Sequence, residues 1–163
     1  MRLLSVRLPA SWPTGLSVGL ATCFGVGRLP YMPGTWGSLA ALPLWWLLDS
    51  FNGLVYSGII VGLIAVAIYF CGEAEIALGQ HDTPVIVLDE VVGQLIALAG
   101  CSGSLGQIMV GVFLFRSFDI LKPWPIGWVN NQVIGGLGIV LDDVLAGLFA
   151  GLGLALLCRW LPL

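Results

Sequence analysis

The chain has 163 residues, of which 58% are hydrophobic and only 9% charged, and its formal net charge is −3. Soluble domains carry about a quarter charged residues, so this chain lacks the polar surface needed to face water on all sides. The composition therefore predicts an integral membrane protein built as one compact bundle. With six Lys and Arg residues in total, a basic surface that binds nucleic acid is excluded.

Apolar runs predict the membrane spans in chain order. The segment 15–27 is short and rich in Gly, and it is compatible with a span, a re-entrant segment or a helix at the interface. The clearer runs cover 36–50, 53–72, 84–100, 105–122 and 136–158. Several are shorter than the ~20 residues that cross a bilayer core, so tilt or local thinning is expected. The predicted fold is an all-α polytopic membrane bundle with about four to five spans, and a re-entrant N-terminal segment stays open.

Local residue patterns predict where some of these helices begin, end and pack. Thr83-Pro84 is typical of an N-cap followed by proline at the first helical position. Pro123 is expected to stop the helix that precedes it. Two pairs of glycines have the four-residue spacing that lets membrane helices approach closely. They are Gly58 with Gly62 and Gly147 with Gly151.

Two pairs of adjacent acidic residues lie inside apolar segments, Asp89-Glu90 in VLDEVVG and Asp142-Asp143 in IVLDDVL. An ionised carboxylate in hydrocarbon costs at least about 2–3 kcal/mol, so such residues are rarely retained for packing alone. Neighbouring carboxylates also repel, and a divalent cation is the simplest means of keeping both charged. The two pairs therefore predict a metal site within the membrane protein.

The alternation of the spans gathers the charged residues at one side of the membrane. If the run 36–50 leaves that side, the run 53–72 returns to it, and the polar loop 73–83 lies there. The two acidic pairs then lie near the start of the third and last runs. The fourth run returns to the same side and ends with a group of charged residues, namely Arg116, Asp119 and Lys122. We call this side the charged face.

The positive-inside rule assigns the charged face to the cytoplasm. Arg28, Arg116 and Lys122 lie on it, whereas Arg159 lies on the opposite side. If the segment 15–27 re-enters, the two N-terminal arginines join the charged face. If that segment spans, both sides carry equal numbers of basic residues and the rule gives no orientation.

Arg116, Asp119 and Lys122 share one face of a helix, because their spacing of three residues at about 100° per residue keeps them within one arc. They could form an interfacial belt of side chains whose charged ends reach water. Asp119 argues against this interpretation, because it has no long apolar stem and must find a partner. A strip of cation, carboxylate and cation beside two acidic pairs suits a site that holds a metal together with an anionic substrate.

His81 is the only histidine in the chain. With its neighbour Asp82 it lies about two helical turns before the first acidic pair. A mechanism that needs two imidazoles is therefore excluded, including that of the membrane phosphatases with one His as nucleophile and another as acid. His81 could act as a general acid, a substrate contact or a metal ligand, or it could be an ordinary interfacial residue.

Two glycine-containing segments could approach an anion. The segment RLPYMPGTWGS supplies Arg28 and Thr35 just before a predicted helix, where backbone amides favour anions. It could equally be a stiff turn that enters the helix. The segment 135–138, with sequence GGLG, could let the backbone come close to phosphate or could simply let helices pack.

Four strings in the chain together resemble the phosphatidylglycerophosphatase A family. They are PGTWGS at 33–38, HD…VLDE at 81–90, FRSFDILKPWPI at 115–126 and GGLGIVLDD at 135–143. The resemblance extends over roughly 20–158, in the same order and with similar gaps. It implies a single membrane-embedded domain over 1–163, all-helical, with its site on the cytoplasmic side of the bacterial inner membrane. It also implies a Mg²⁺-dependent phosphatase that converts phosphatidylglycerophosphate to phosphatidylglycerol, in glycerophospholipid biosynthesis.

The chain departs from the family pattern at two positions. Family members often have HDHG where this chain has His81-Asp82-Thr83-Pro84, and they often have His where this chain has Ile134. If the protein is active, neither missing histidine is essential, and the chemistry belongs to the carboxylates, Arg116 and Lys122.

The expected site residues fall into three roles. Asp89, Glu90, Asp142 and Asp143 are expected to ligate one or two Mg²⁺, and Asp119 either binds metal or orients a neighbouring cation. Arg116 and Lys122 are expected to bind the phosphate oxygens. Arg28 and Thr35 are expected to support this binding. The catalytic candidates are His81 and Asp82, which could protonate the leaving glycerol oxygen, and Asp89 and Asp143, which could orient water or attack phosphorus directly.

Other functions stay open at this point. An ion or proton transporter could use the intramembrane acids, although a pathway would spread polar groups through the membrane depth. Another Mg²⁺-dependent enzyme acting on lipid phosphates is a second alternative. A CDP-alcohol phosphotransferase is improbable, because its acidic motif is not found in the sequence. The partner expected in every enzymatic case is a membrane lipid phosphomonoester, and the oligomeric state stays open, a homo-oligomer included.

Overall fold

The computed structural model describes residues 14–79 and 83–160, together with the backbone of residues 4–5. Within these ranges the chain forms seven α-helices: α1 Thr14–Ala21, α2 Pro33–Leu48, α3 Gly53–Leu78, α4 Leu88–Ala97, α5 Leu105–Leu121, α6 Ile126–Gln132 and α7 Gly136–Trp160. Two-residue strands β1 Leu4–Ser5 and β2 Val133–Ile134 pair in parallel. The predicted all-α class is confirmed, with this short pairing as an addition. His81 and Asp82 lie outside the described residues.

Two of the described helices, α3 and α7, are long and apolar enough to cross a membrane. Their most apolar windows have mean hydropathies of 2.4 and 2.0. Asn52 caps the start of α3, since its side chain accepts a hydrogen bond from the Val55 backbone. The predicted total of about four to five spans and the re-entrant N-terminal segment stay predictions.

Helix α4 is shorter than its apolar run indicates. We expected a helix capped by Thr83 and opened by Pro84, but the helix begins only at Leu88. Residues 83–87 form a turn in which the Ile86 amide donates to the Thr83 carbonyl. The Val87 amide donates to the carbonyl of Ala21 at the end of α1, which leaves this amide outside the helical pattern. Ten residues rise only about 15 Å, so α4 is too short to cross a bilayer alone.

The segment 15–27 is likewise not one continuous helix. Helix α1 occupies its first part, and turns then lead into a 3₁₀ turn at Val26–Arg28. Helix α1 packs against α3, with Ser17 and Ala21 buried. Eight residues are too few to span a hydrocarbon core.

The neighbours of α4 complete its hydrogen bonding. The last carbonyls of a helix have no partner inside the helix and must find one outside. Trp45 of α2 donates its indole N–H to the Leu98 carbonyl at 3.0 Å, and Tyr56 of α3 donates its hydroxyl to the Leu95 carbonyl at 2.7 Å. Because α2, α3, α5 and α7 all pack around α4, this helix fixes the relative positions of the others.

Glycines allow α7 to approach α4 and α3 closely. A Cβ at Gly147 would lie 3.1 Å from both the Gly93 carbonyl carbon and the Ile96 Cβ, and one at Gly136 would lie 2.7 Å from the Gly72 amide nitrogen. The predicted packing role of Gly147 is therefore confirmed. By contrast, Gly58 has nothing within 4 Å of its Cβ position, and the same holds for Gly62, so this pair packs against no other described helix.

We expect Gly147→Ala to destabilise the protein by roughly 1–3 kcal/mol, because the new methyl group meets backbone that cannot rotate away. Gly58→Ala is the matched control, since its methyl group enters open space and alanine favours the helix. Thermal unfolding of both variants in the same detergent measures the difference. Equal unfolding temperatures for the two variants would contradict the close contact between α4 and α7.

Candidate functional site

Three carboxylates from two helices meet in one buried cluster. Asp89 and Glu90 come from the first turn of α4, and Asp143 comes from the second turn of α7. One oxygen from each lies within 4.8 Å of the others. Asp89 and Asp143 are buried, at 6% and 3% exposure. We call Asp89, Glu90 and Asp143 the acidic cluster.

The chemistry of the acidic cluster fits a divalent cation. Oε2 of Glu90 and Oδ1 of Asp143 are buried and have no hydrogen-bond partner among the described residues. Buried carboxylates that repel each other need a positive charge between them to stay ionised. Three hard oxygen donors suit Mg²⁺ better than a soft metal. The acidic cluster could therefore hold such an ion.

Arg116 lies beside the acidic cluster and makes an ion pair within its own helix. Its Nη1 donates to Oδ2 of Asp119 at 2.6 Å and lies 3.8 Å from Oε1 of Glu90. The Nε atom of Arg116 is buried and has no hydrogen-bond partner in the described part of the chain. The guanidinium thus borders the acidic cluster while one carboxylate fixes its orientation, and it retains donor capacity for a further anion.

The first turn of α2 lies against the Arg116 guanidinium because position 34 is glycine. A Cβ at Gly34 would lie 2.7 Å from both Nη1 and Nη2 of Arg116. Three residues later, a Cβ at Gly37 would lie 2.9 Å from the Val87 Cβ. The two glycines of PGTWGS therefore bring α2 against both α4 and α5. Sequence reasoning recognised this string but not its contact with the arginine.

The second acidic pair divides between two environments. Asp143 joins the acidic cluster, whereas Asp142 binds Lys122, with Nζ to Oδ2 at 2.5 Å. Asn130 of α6 also donates to Oδ2 of Asp142, at 3.0 Å, and the Asp143 amide donates to Oδ1. Both oxygens of Asp142 thus accept hydrogen bonds from the protein. Asp142 was expected as a metal ligand and Lys122 as a phosphate contact, and in this structure they bind each other.

The remaining predicted site residues are placed as follows. Arg28 is exposed at the end of the 3₁₀ turn, and Thr35 is half-buried in the first turn of α2. Asp119 lies on the Arg116 side of the site through its ion pair. Ile134 lies in β2 just before α7. His81 and Asp82 are outside the described residues, so their predicted roles stay predictions.

Sequence reasoning missed two polar residues near the site. Asn130 lies in the polar string NNQ after Trp128, and that string was the available signal. Gln94 lies one turn after Glu90 and is completely buried, and a polar residue within VVGQLIAL was its signal. The segment GGLG serves helix packing, since Gly136 contacts α3 and Gly138 lies against Val133.

Fold and site together define a helical, membrane-associated protein with a buried carboxylate cluster beside an arginine. Such an arrangement is suited to binding a metal and a phosphate group side by side. The sequence profile of the family described as phosphatidylglycerophosphatase A matches residues 19–158. No solved structure matches the chain.

Curated relatives agree with the family profile. The phosphatidylglycerophosphatase A of Escherichia coli (strain K12) is 39% identical over 145 residues, covering 88% of this chain and 83% of the relative. That of Haemophilus influenzae is 41% identical over 133 residues, covering 80% and 82%. A putative phosphatidylinositol-3-phosphatase of Bacteroides thetaiotaomicron is 33% identical over 156 residues, covering 91% and 96%. The chain belongs to the phosphatidylglycerophosphatase A family.

We expect Lys122→Met to lower the free energy of unfolding by about 1–3 kcal/mol, because it removes a charged partner of the buried Asp142 carboxylate. The Lys122 side chain is 28% exposed, which keeps the effect below the roughly 3–5 kcal/mol of a fully buried pair. Adding Asp142→Asn should restore part of the loss. Arg159→Met, at the exposed end of α7, is the control. Unfolding in detergent checks this series, and a Lys122→Met variant as stable as the control would contradict a structural ion pair.

Proposed function

We propose that the protein is a Mg²⁺-dependent phosphatase that hydrolyses the phosphate monoester of phosphatidylglycerophosphate and releases phosphatidylglycerol. Family membership supports the reaction class and the substrate. The observation that carries the proposal is the contact of the acidic cluster with Arg116, whose Nη1 lies 3.8 Å from Oε1 of Glu90. At this distance one phosphoryl group could contact both a metal held by the acidic cluster and the Arg116 guanidinium.

The acidic cluster is the part of the site that would hold Mg²⁺. Asp89, Glu90 and Asp143 offer the oxygens. Asp119 pairs with Arg116, so its carboxylate also affects the net charge beside the acidic cluster. When bound, the metal would neutralise charge on the phosphoryl group and make a water molecule in the site a better nucleophile. Asp142 is satisfied by Lys122 and Asn130, so we place it outside the ligand set and give it a structural role.

Arg116 would bind the phosphate. Its guanidinium is planar and can donate two parallel hydrogen bonds to one phosphoryl group. The ion pair with Asp119 and the contact with Gly34 restrict its rotation before substrate arrives. A preorganised donor stabilises developing charge in the transition state without reorganising during the reaction. Arg28 from the 3₁₀ turn and Thr35 from the first turn of α2 would contact the head group.

Hydrolysis replaces one oxygen–phosphorus bond with another. The oxygen of water bonds to phosphorus, the bond from phosphorus to the glycerol oxygen breaks, and that oxygen takes up a proton. A carboxylate of the acidic cluster, Asp89 or Asp143, would accept the proton from water. His81 or Asp82 would supply the proton to the glycerol oxygen as it leaves. Direct attack by Asp89 or Asp143 through an aspartyl-phosphate is the alternative first step.

The site would lie at the cytoplasmic side of the inner membrane of a bacterium, in a multi-pass protein. The two long apolar helices support membrane insertion, and the arginine and lysine at the end of α5 support a cytoplasmic placement by the positive-inside rule. A lipid phosphomonoester presents its phosphate at this depth. The relative named as a putative phosphatidylinositol-3-phosphatase makes phosphatidylinositol 3-phosphate a second candidate substrate, in which the phosphate monoester bond to an inositol oxygen would break instead.

The test is phosphate release by the purified full chain in detergent micelles, with phosphatidylglycerophosphate and phosphatidylinositol 3-phosphate as separate substrates. We expect turnover of the first lipid with Mg²⁺ and loss of turnover after chelation. Glu90→Gln and Asp143→Asn should each lower kcat by about 100-fold or more, as when metal-borne stabilisation is lost. Asp49→Asn, an exposed acid at the other end of α2, should retain activity.

Three outcomes of this assay would count against the proposal. Full turnover after removal of all divalent metal would contradict the metal role. Normal turnover in both cluster variants would show that the site lies elsewhere. Phosphate release from phosphatidylinositol 3-phosphate alone would contradict the proposed substrate but would agree with the proposed phosphatase reaction. Because the assay has no ion gradient, activity in it also separates a phosphatase from a transporter.

A further inference from the structure

Gln94 is a buried amide with no hydrogen-bond partner in the described structure. Its side chain is 0% exposed, and both Nε2 and Oε1 have no partner among residues 14–79 and 83–160. Buried polar groups are almost always hydrogen-bonded, directly or through ordered water. An apolar side chain would fill the same core position without this cost. The amide is therefore expected to have a partner, either a buried water or a neighbouring polar group.

The geometry of α4 directs Gln94 toward Glu90. The two residues are four apart on one helix, so their side chains lie on the same face, about 5–6 Å apart at Cβ. The Cα–Cβ bonds of a helix tilt toward its N-terminus, which leans the Gln94 side chain over the turn that carries Glu90. Side chains of this length can meet directly or through one water molecule.

The unsatisfied atoms of the two residues are complementary. Oε2 of Glu90 is a buried acceptor with no partner in the described chain, and Nε2 of Gln94 is a buried donor in the same condition. The other oxygen of Glu90, Oε1, lies on the Arg116 side. A hydrogen bond from Gln94 would hold the second oxygen, so that the carboxylate is fixed from both sides.

We propose that Gln94 is a positioning residue that holds the Glu90 carboxylate, directly or through one buried water, in the orientation that binds the metal. This inference rests on the metal role given to Glu90 under the proposed function. Partners that orient a metal ligand typically change metal affinity by about 10–100-fold when they are removed. Gln94 would not touch the substrate.

The experiment measures Mn²⁺ binding to the full chain in detergent by electron paramagnetic resonance, without turnover. Gln94→Leu should raise the Kd for Mn²⁺ by about 10–100-fold. Gln94→Met also lacks the amide and should have the same effect, and it serves as the test if the leucine variant fails to insert. Ser17→Ala is the control, because it removes another buried polar atom without a described partner, from α1. It should change the Kd by less than about twofold.

A second set of readouts separates positioning from a packing role. At saturating Mg²⁺ the Gln94→Leu variant should have the KM of the wild type for the lipid, and its thermal stability without metal should be retained. A Kd unchanged within about twofold, with or without a lower unfolding temperature, would overturn the inference.

Comparison with Glu90→Gln separates this inference from the proposed function. If Glu90→Gln loses Mn²⁺ affinity and Gln94→Leu does not, only the role of Gln94 is overturned. If Glu90→Gln binds Mn²⁺ as tightly as the wild type, the metal role of Glu90 is contradicted, and so is the positioning role of Gln94 that rests on it. Phosphate release from the lipid, measured separately, decides whether the enzymatic proposal survives that result.

Discussion

The repulsion among three clustered carboxylates, two of them buried, is the constraint on which the rest of the structure depends. Asp89, Glu90 and Asp143 can stay ionised together only with positive charge close by. Arg116 supplies a positive charge at the edge of the acidic cluster, and the cluster itself is suited to a metal ion. Helices α4, α5 and α7 must keep fixed separations for this balance to hold. Glycine contacts between α4 and α7, and between α2 and the guanidinium, set those separations.

Neighbouring acids in the sequence serve different purposes because a helix turns them apart. Asp142 and Asp143 are separated by about 100° around α7. One joins the acidic cluster, while the other binds Lys122 and Asn130. The second arrangement ties the ends of α5 and α6 to α7, which holds the α5 end bearing Arg116 near the site. A structural ion pair and a candidate metal ligand thus share one dipeptide, and both depend on the same helix orientation.

Much of this arrangement could be predicted from the sequence, and the rest depended on tertiary contacts. The sequence argument placed the acidic pairs beside Arg116 and Lys122, and the ion pairs of Glu90 with Arg116 and of Asp142 with Lys122 agree with that placement. The start of α4 was wrong, because the Val87 amide binds Ala21 across the fold instead of joining a helix opened by Pro84. The partner of Asp142 and the contact of Gly34 with Arg116 depend on side-chain directions between helices, which no local pattern specifies. Gln94 gave only the signal of a polar residue in an apolar run.

The central claim is that the acidic cluster holds the metal next to Arg116. Anomalous diffraction from crystals of the protein grown with Mn²⁺ tests it most directly, because it locates the ion without reference to activity. We expect an anomalous peak bounded by oxygens of Asp89, Glu90 and Asp143, at the roughly 2.0–2.2 Å typical of small hard cations. A well-occupied peak on Asp142 with Lys122 displaced, or at a position remote from all three carboxylates, would contradict the claim.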